Sequence, residues 1–289
     1  MRANQMTAPL RRVMVCPPAN AGWNDAVRHG QWRELTYTHA PDFAVAQAQH
    51  EGLCAELEGA GVEVMVLSAA PELTLDAAYV HDSSLTTDWG AIPLNTGKVN
   101  RRVEARRVRE FYEANGFPVL GEVTAPGMAE SGDMVWLDDR TLLVGRGYRT
   151  NAAAIAQLRE LLGPQGVEVI SAPLTYGNGP AYCLHLMSNM SPLNETTMLV
   201  DLPMLAVETV ELLEERGWKL LEIDIAERDT LGCNVLALGE GRLLALAENT
   251  KTNARIRAAG FDLRTFAGNE VCINGGGGPT CLTRALERG

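Results

Sequence analysis

The stretch DMVWLDDRTLLVGRGYRTNAAAIAQLRELLGPQGVEVI, residues 133–170, carries the key to the fold. Met134-Val135-Trp136-Leu137 is an apolar run too short for a helix and reads as a strand. Asp138-Asp139 supplies a polar turn, and Leu142-Leu143-Val144 reads as the returning strand. Ala152–Leu162 then sets Ile155, Leu158 and Leu162 on one face at helical spacing. Val167-Glu168-Val169-Ile170 closes the unit as another strand. Two strands, a helix and a strand cannot bury all their apolar faces alone, so the unit needs neighbours.

Units of the same pattern occur on both sides. One runs from strand-like Tyr79-Val80 into His81-Asp82, with Ala91–Leu94 as its second strand. Its charged helix, from about Arg102 to Ala114, ends at the stop signal Asn115-Gly116, and Pro118-Val119-Leu120 follows. Another starts near Leu184-His185-Leu186, inside the strand-like stretch Cys183–Met187. It has a helix over Met204–Arg216 and a strand over Trp218–Ile223. A further unit starts at Asn234, with a strand over Val235–Leu238, a turn at Glu240-Gly241, a helix near Thr252–Ala259 and a strand over Phe261–Thr265. The N-terminal unit is degenerate: strand Val13–Val15, helix Phe43–Gly59 and strand Val62–Leu67. Its missing strand is expected from the C-terminal Cys281–Ala285. From Asp82 to Asp133 is 51 residues, from Asp133 to His185 is 52, and from His185 to Asn234 is 49. Such a period predicts a closed ring of five α/β blades forming one domain over residues 1–289, with residues 1–11 as a short disordered start. Equivalent strand starts would face one central channel. Asp82, Glu130 with Asp133, His185 and Cys281 should therefore converge although far apart in sequence.

The bulk properties exclude several classes. A net charge of −11 argues against a nucleic-acid partner, because phosphate binding needs a basic face. The apolar runs, such as Val64–Leu67, are too short to span a membrane. Met1–Arg12 lacks a following apolar segment and does not read as a signal peptide, so a cytoplasmic location with reduced thiols is expected. The cysteines at 16, 54, 183, 233, 272 and 281 form no C-x-x-C pair, which disfavours zinc and thioredoxin-like readings. For any one of them a small buried apolar residue is the default.

Cys281 departs from that default. It follows Asn274-Gly275-Gly276-Gly277-Gly278-Pro279-Thr280, and four successive glycines permit close approach of another group. His185 in an apolar stretch would ordinarily be a satisfied core residue. Glu130-Ser131-Gly132-Asp133 would ordinarily be a surface turn. Their matched positions in the repeat raise a catalytic reading for both.

The ordered set Tyr79-Val80-His81-Asp82, Asn100-Arg101-Arg102-Val103-Glu104, Ala125-Pro126-Gly127-Met128-Ala129-Glu130-Ser131-Gly132-Asp133, Arg149-Thr150-Asn151, His185-Leu186 and Gly275-Gly276-Gly277 before Cys281-Leu282-Thr283 resembles the guanidino-group-modifying enzymes. These are the dimethylarginine dimethylaminohydrolases, arginine deiminases and amidinotransferases, and the first resemble it most closely. The resemblance implies a five-bladed pseudo-symmetric α/β propeller of strand–strand–helix–strand units. It implies Cys281 as nucleophile, His185 as general acid and base, and Glu130 as a catalytic carboxylate. Asp82 and Asp133 fall to substrate binding, and Arg101 and Arg149 to the substrate carboxylate. No cofactor and no metal is implied. The partner is a small guanidino substrate, and a homodimer is left open.

Two positions depart from the pattern. Met187 stands where deiminases and amidinotransferases carry an acid and where the dimethylarginine enzymes often carry Lys. His81 stands where the latter often carry Glu. The expected chemistry is hydrolysis of an N-omega-methylated arginine to citrulline and an alkylamine through a covalent thiouronium. Arginine deimination or hydrolysis, amidino transfer, and a ligand-binding protein on a dead scaffold are the alternatives. A papain-like arrangement ranks low, since there the Cys precedes the His.

Overall fold

The computed structural model describes residues 2–177, 179–180, 182 and 184–289. The first unit holds β1 (Leu10–Val15), the short α1 (Ala26–His29), α2 (Phe43–Gly59) and β2 (Glu63–Val66). The second holds β3 (Ser84–Thr87), β4 (Gly90–Pro93) and α3 (Glu104–Ala114). The third holds β5 (Met134–Trp136), β6 (Thr141–Arg146), α4 (Ala152–Leu162) and β7 (Glu168–Pro173). The fourth holds the one-turn α5 (Leu186–Asn189), β8 (Met190–Pro192), β9 (Thr197–Val200), α6 (Val207–Glu215) and β10 (Lys219–Glu222). The fifth holds β11 (Leu236–Gly239), β12 (Arg242–Leu246), α7 (Thr250–Ala258) and β13 (Asp262–Phe266), and β14 (Thr283–Arg288) ends the chain.

Each unit builds its own small sheet, in the orders β14-β1-β2, β3-β4, β5-β6-β7, β10-β9-β8 and β11-β12-β13. In the three complete units the first two strands pair antiparallel, as a tight turn allows. The third joins parallel, because the helix carries the chain back across the sheet. The C-terminal strand completes the first sheet as expected, with Val13 opposite Ala285 and Val15 opposite Thr283.

The helices follow their patterns. In α4, Ala154, Ile155, Leu158 and Leu162 are the buried face, and the Asn151 side chain caps the start by accepting from Ala154 N at 2.9 Å. Such a cap contributes about 1 kcal/mol.

The apolar side chains link the units in sequence. Leu85 and Ile92 share a core with Met134 and Val144. Val135 and Leu143 share one with Met190 and Met198. Leu199 shares one with Val235 and Leu243. Leu236 and Leu244 then pack with Val13 and Leu286, and these with Ala91 and Val108 of the second unit. The last unit thus closes on the first.

Three expectations change. Pro118–Leu120 makes only isolated bridges, Ala91 to Val119 and, beyond it, Leu94 to Val123; Pro118 has no N–H to give a ladder. Tyr79-Val80 and residues 184–187 are not strands: a one-turn segment, Val80–Ser83, and α5 precede β3 and β8, while Cys183 lies outside the described residues. The N-terminus is not a loose start. Ala3 N and Asn4 N donate to Asp88 Oδ1 at 2.7 and 3.1 Å, and Asn4 is buried. Among the described residues no helix is long and apolar enough to cross a membrane.

Candidate functional site

Single turns just before the first strands of successive units carry the predicted residues. Asp82 lies in the turn before β3, Glu130 caps the turn Ser131–Asp133 before β5, and His185 caps α5 before β8. His185 Nε2 lies 2.8 Å from Glu130 Oε2, and its Nδ1 lies 3.8 Å from Asp82 Oδ1. Asp82, Glu130 and His185 each offer an atom within 4.8 Å of the others. The three are buried. Gly132 is required here: a Cβ would overlap the His185 ring and lie 3.0 Å from Asp82 Oδ1. By donor type the same trio could hold a metal ion, or an organic cation.

Burial opposes the charge of both carboxylates, but their partners win. His185 and the Arg101 guanidinium hold Asp82 well below the usual carboxylate range. The hydrogen bond and charge of His185, with Arg149, hold Glu130 down as well. Both therefore stand ready as anions.

The two arginines are placed differently. Arg101 gives its Nε–Nη2 fork to Glu104, both bonds at 2.9 Å, and its other edge to Asp82 Oδ2 at 2.7 Å and the Tyr79 carbonyl at 2.9 Å. Both edges of the guanidinium are spent inside the protein. The expectation for Arg101 was the substrate carboxylate; in this structure its contacts are to Asp82, Glu104 and the Tyr79 carbonyl, and it fixes Asp82. Arg149 Nη1 donates to Glu130 Oε1 and Oε2 at 3.1 and 2.9 Å, at the margin of the buried cluster.

Asp133, expected at the substrate, has its contacts within the protein. It is fully buried, accepts from the Thr150 hydroxyl at 2.6 Å and accepts from Leu186 N at 2.9 Å. Thr150 Oγ1 in turn accepts from Glu130 N at 3.2 Å. Asp133 thus braces the turns bearing Glu130 and His185. Burial raises its carboxyl to about 6.

Cys281 sits just before β14, partly exposed. Its carbonyl accepts from His81 N at 3.1 Å, which ties the thiol-bearing turn to the residue beside Asp82. Its Sγ accepts from Asn234 Nδ2 at 3.2 Å, and Asn234 Oδ1 accepts from Thr280 N at 3.0 Å. Asn234 marks a repeat start in the sequence, yet its chemistry was not singled out; its place in the series with Asp82, Asp133 and His185 was the available signal. The glycine run is needed for close packing. A Cβ at Gly275 or Gly277 would overlap Tyr79, and one at Gly278 would lie 2.5 Å from Asn234 Cγ. Cys16, Cys233 and Cys272 are buried, and desolvation pushes their thiols far up; Cys54 is raised to about 11 for the same reason. A buried thiol of that kind is inert.

The Trp23–Tyr37 segment is anchored at both ends. Trp23 Nε1 donates to Leu75 O at 3.0 Å, and the Tyr37 ring packs on Trp23 and Tyr79. Met187 lies in the apolar core shared with Val135 and Met190. His81 is buried, and its Nδ1 donates to Thr283 O at 3.1 Å.

Comparison with known proteins adds to this geometry. A family model described as N,N dimethylarginine dimethylhydrolase, eukaryotic, matches residues 27–288. The chain is 28% identical over 284 residues to the N(G),N(G)-dimethylarginine dimethylaminohydrolase of Streptomyces coelicolor, covering 96% of this chain and 98% of that one. It resembles the structure of DDAH from Pseudomonas aeruginosa, a cysteine-to-serine variant complexed with citrulline, with TM-score 0.77 and 23% identity over 95% of this chain and 98% of that one. It also resembles the substrate-bound N-terminal domain of ArgZ, an arginine dihydrolase of Cyanobacteria, with TM-score 0.81 and 20% identity over 96% and 98%. The two structural likenesses establish a shared mixed α/β fold.

Proposed function

The chain belongs to the N,N-dimethylarginine dimethylhydrolase family and is a hydrolase of carbon–nitrogen bonds in amidines, and from that premise we propose that it converts an N-omega-methylated arginine to citrulline and an alkylamine. The observation that supports this reading best is the meeting of Asp82, Glu130 and His185 within 4.8 Å, beside the turn whose Cys281 thiol accepts from Asn234. Two carboxylates held as anions suit a planar cation with N–H groups on two edges. In this reading the five sheets are the blades of an α/β propeller, and the site lies at the centre of one face.

Asp82 and Glu130 accept hydrogen bonds from the guanidinium and fix its plane. The bound cation and the Asn234 amide favour the thiolate of Cys281. Its sulfur attacks the guanidinium carbon, and a tetrahedral adduct forms. His185 delivers a proton to the departing amine, and the carbon–nitrogen bond breaks to leave a thiouronium. His185 then takes a proton from water, whose oxygen adds to the same carbon. Loss of the sulfur yields the ureido group of citrulline and regenerates the thiolate. Arg149, at the margin of the cluster, takes the carboxylate of the substrate, while Arg101 holds Asp82 in place.

The test is a panel of guanidino compounds assayed for both products. Citrulline with dimethylamine or methylamine supports the reading. Citrulline or ornithine formed with ammonia from arginine, or an amidinated acceptor, overturns it in favour of another reaction of the same chemistry.

A further inference from the structure

His81 departs from the family pattern, and the reaction above uses only its backbone; its side chain faces elsewhere. It lines a small cavity of about 30 Å³ together with Trp136, Thr280, Arg284 and Arg288. Arg284 and Arg288 are both buried, at 4% exposure each, and among the described residues neither makes an ion pair. Arg284 donates to the His81 carbonyl, and Arg288 Nη1 donates to the carbonyls of Ala8 at 2.7 Å and Ala237 at 3.0 Å. The described residues lining the cavity include no carboxylate. Three buried polar atoms there have no partner: Arg284 Nε, Trp136 Nε1 and His81 Nε2.

Burying an unpaired charge is among the largest costs a fold can carry. Here two such cations sit near one another, and burial drives them down to about 10 and about 9, with Arg284 adding repulsion at Arg288. A volume of this size admits one small occupant. We propose that this cavity is a structural binding site for a single halide ion, chloride under ordinary conditions, held by Arg284 and the Trp136 indole N–H and neutralised against Arg284 and Arg288. The ion supplies the negative charge that the lining lacks and accepts from the orphaned Nε of Arg284. A water molecule would fill the space but bring no charge, leaving Arg288 with no anion and Arg284 with only the longer-range field of groups outside the cavity such as Asp82. The ion lies behind His81 and is not a participant in the reaction, although Arg284 also feels the charge of Asp82 and Cys281.

The test uses the intact protein crystallised with bromide in place of chloride. Data at the bromine absorption edge should show one anomalous peak in contact with Arg284 and Trp136; a water-like density with no anomalous signal overturns the proposal. In solution, thermal stability at fixed ionic strength should rise and saturate as chloride replaces gluconate. Trp136→Phe keeps the ring and removes one donor, and it should raise the half-saturating chloride concentration about tenfold, the effect of one hydrogen bond to a charge. Arg284→Met should abolish the chloride response altogether. If that variant fails to fold, Trp136→Phe still decides: an unchanged chloride response in it overturns the site.

Discussion

Two buried groups of charge lie on either side of the dipeptide His81-Asp82, and they are handled in opposite ways. On the Asp82 side every described cation meets a carboxylate: Arg101 bridges Asp82 and Glu104, and Arg149 sits on Glu130. On the His81 side Arg284 and Arg288 meet only carbonyl oxygens. The burial is the same, so depth does not distinguish them. What differs is where the compensating charge comes from. In the proposed reaction the first cluster receives a cation and must hold its anions still, which the internal brace of Arg101 provides. The other cluster leaves its compensation to something outside the chain.

The largest expected effect is on the thiol that works against the braced cluster. Cys281→Ser should lower turnover by about ten-thousand-fold or more while circular dichroism stays unchanged. Turnover at the parent rate would remove the covalent route. Next comes the brace itself. Glu104→Ala leaves Arg101 buried with one partner fewer and should cost about 3 kcal/mol in urea unfolding. Arg284→Met, at equal depth, removes a cation that has no carboxylate and should leave stability in chloride-free buffer unchanged or raised. Equal losses in the two variants would break the comparison.

Asp133 gives a pH signature. Its folded-state carboxyl is raised from 3.8 to about 6, so the folded protein holds that proton more tightly than the unfolded chain. The associated stability is complete below the lower value and is lost as pH rises through the upper one. Comparing wild type with Asp133→Asn should show the wild-type advantage shrinking by up to about 3 kcal/mol across that window. A pH-independent difference would place the proton elsewhere. The smallest effect is on the thiol's amide partner. Asn234→Ala should slow inactivation by a haloacetamidine about tenfold at neutral pH, with recovery as pH rises, because one hydrogen bond to the thiolate is gone. A change in binding of the probe without a shifted pH profile would make Asn234 only a packing residue.

Much of the architecture was legible along the chain. The bounds of α2 and α4 match their apolar spacing, and the C-terminal strand fills the gap in the first sheet. The convergence of Asp82, Glu130 and His185 followed from matched positions in the repeat, and the repeat also pointed at Asn234 without saying what its amide would touch. Less legible were the turns. Tyr79-Val80 and Leu184–Met187 look like strands because apolar residues in one-turn segments obey no period long enough to detect.

Local alternation and helical spacing are properties of neighbouring residues, so the sequence alone determined the repeated units, the order of the strands within them and the candidates for chemistry. Which charge meets which was decided only by the tertiary structure. Arg101 has the right shape to hold a ligand's carboxylate, and nothing in its flanks says that Glu104 and Asp82 will claim both of its edges. Arg284 and Arg288 look like the charged positions of an edge strand until the N-terminal segment, β11 and the turn at His81 cover them. Coulomb and desolvation energies depend on distances across units some fifty residues apart, and those distances exist only once the last unit has closed on the first.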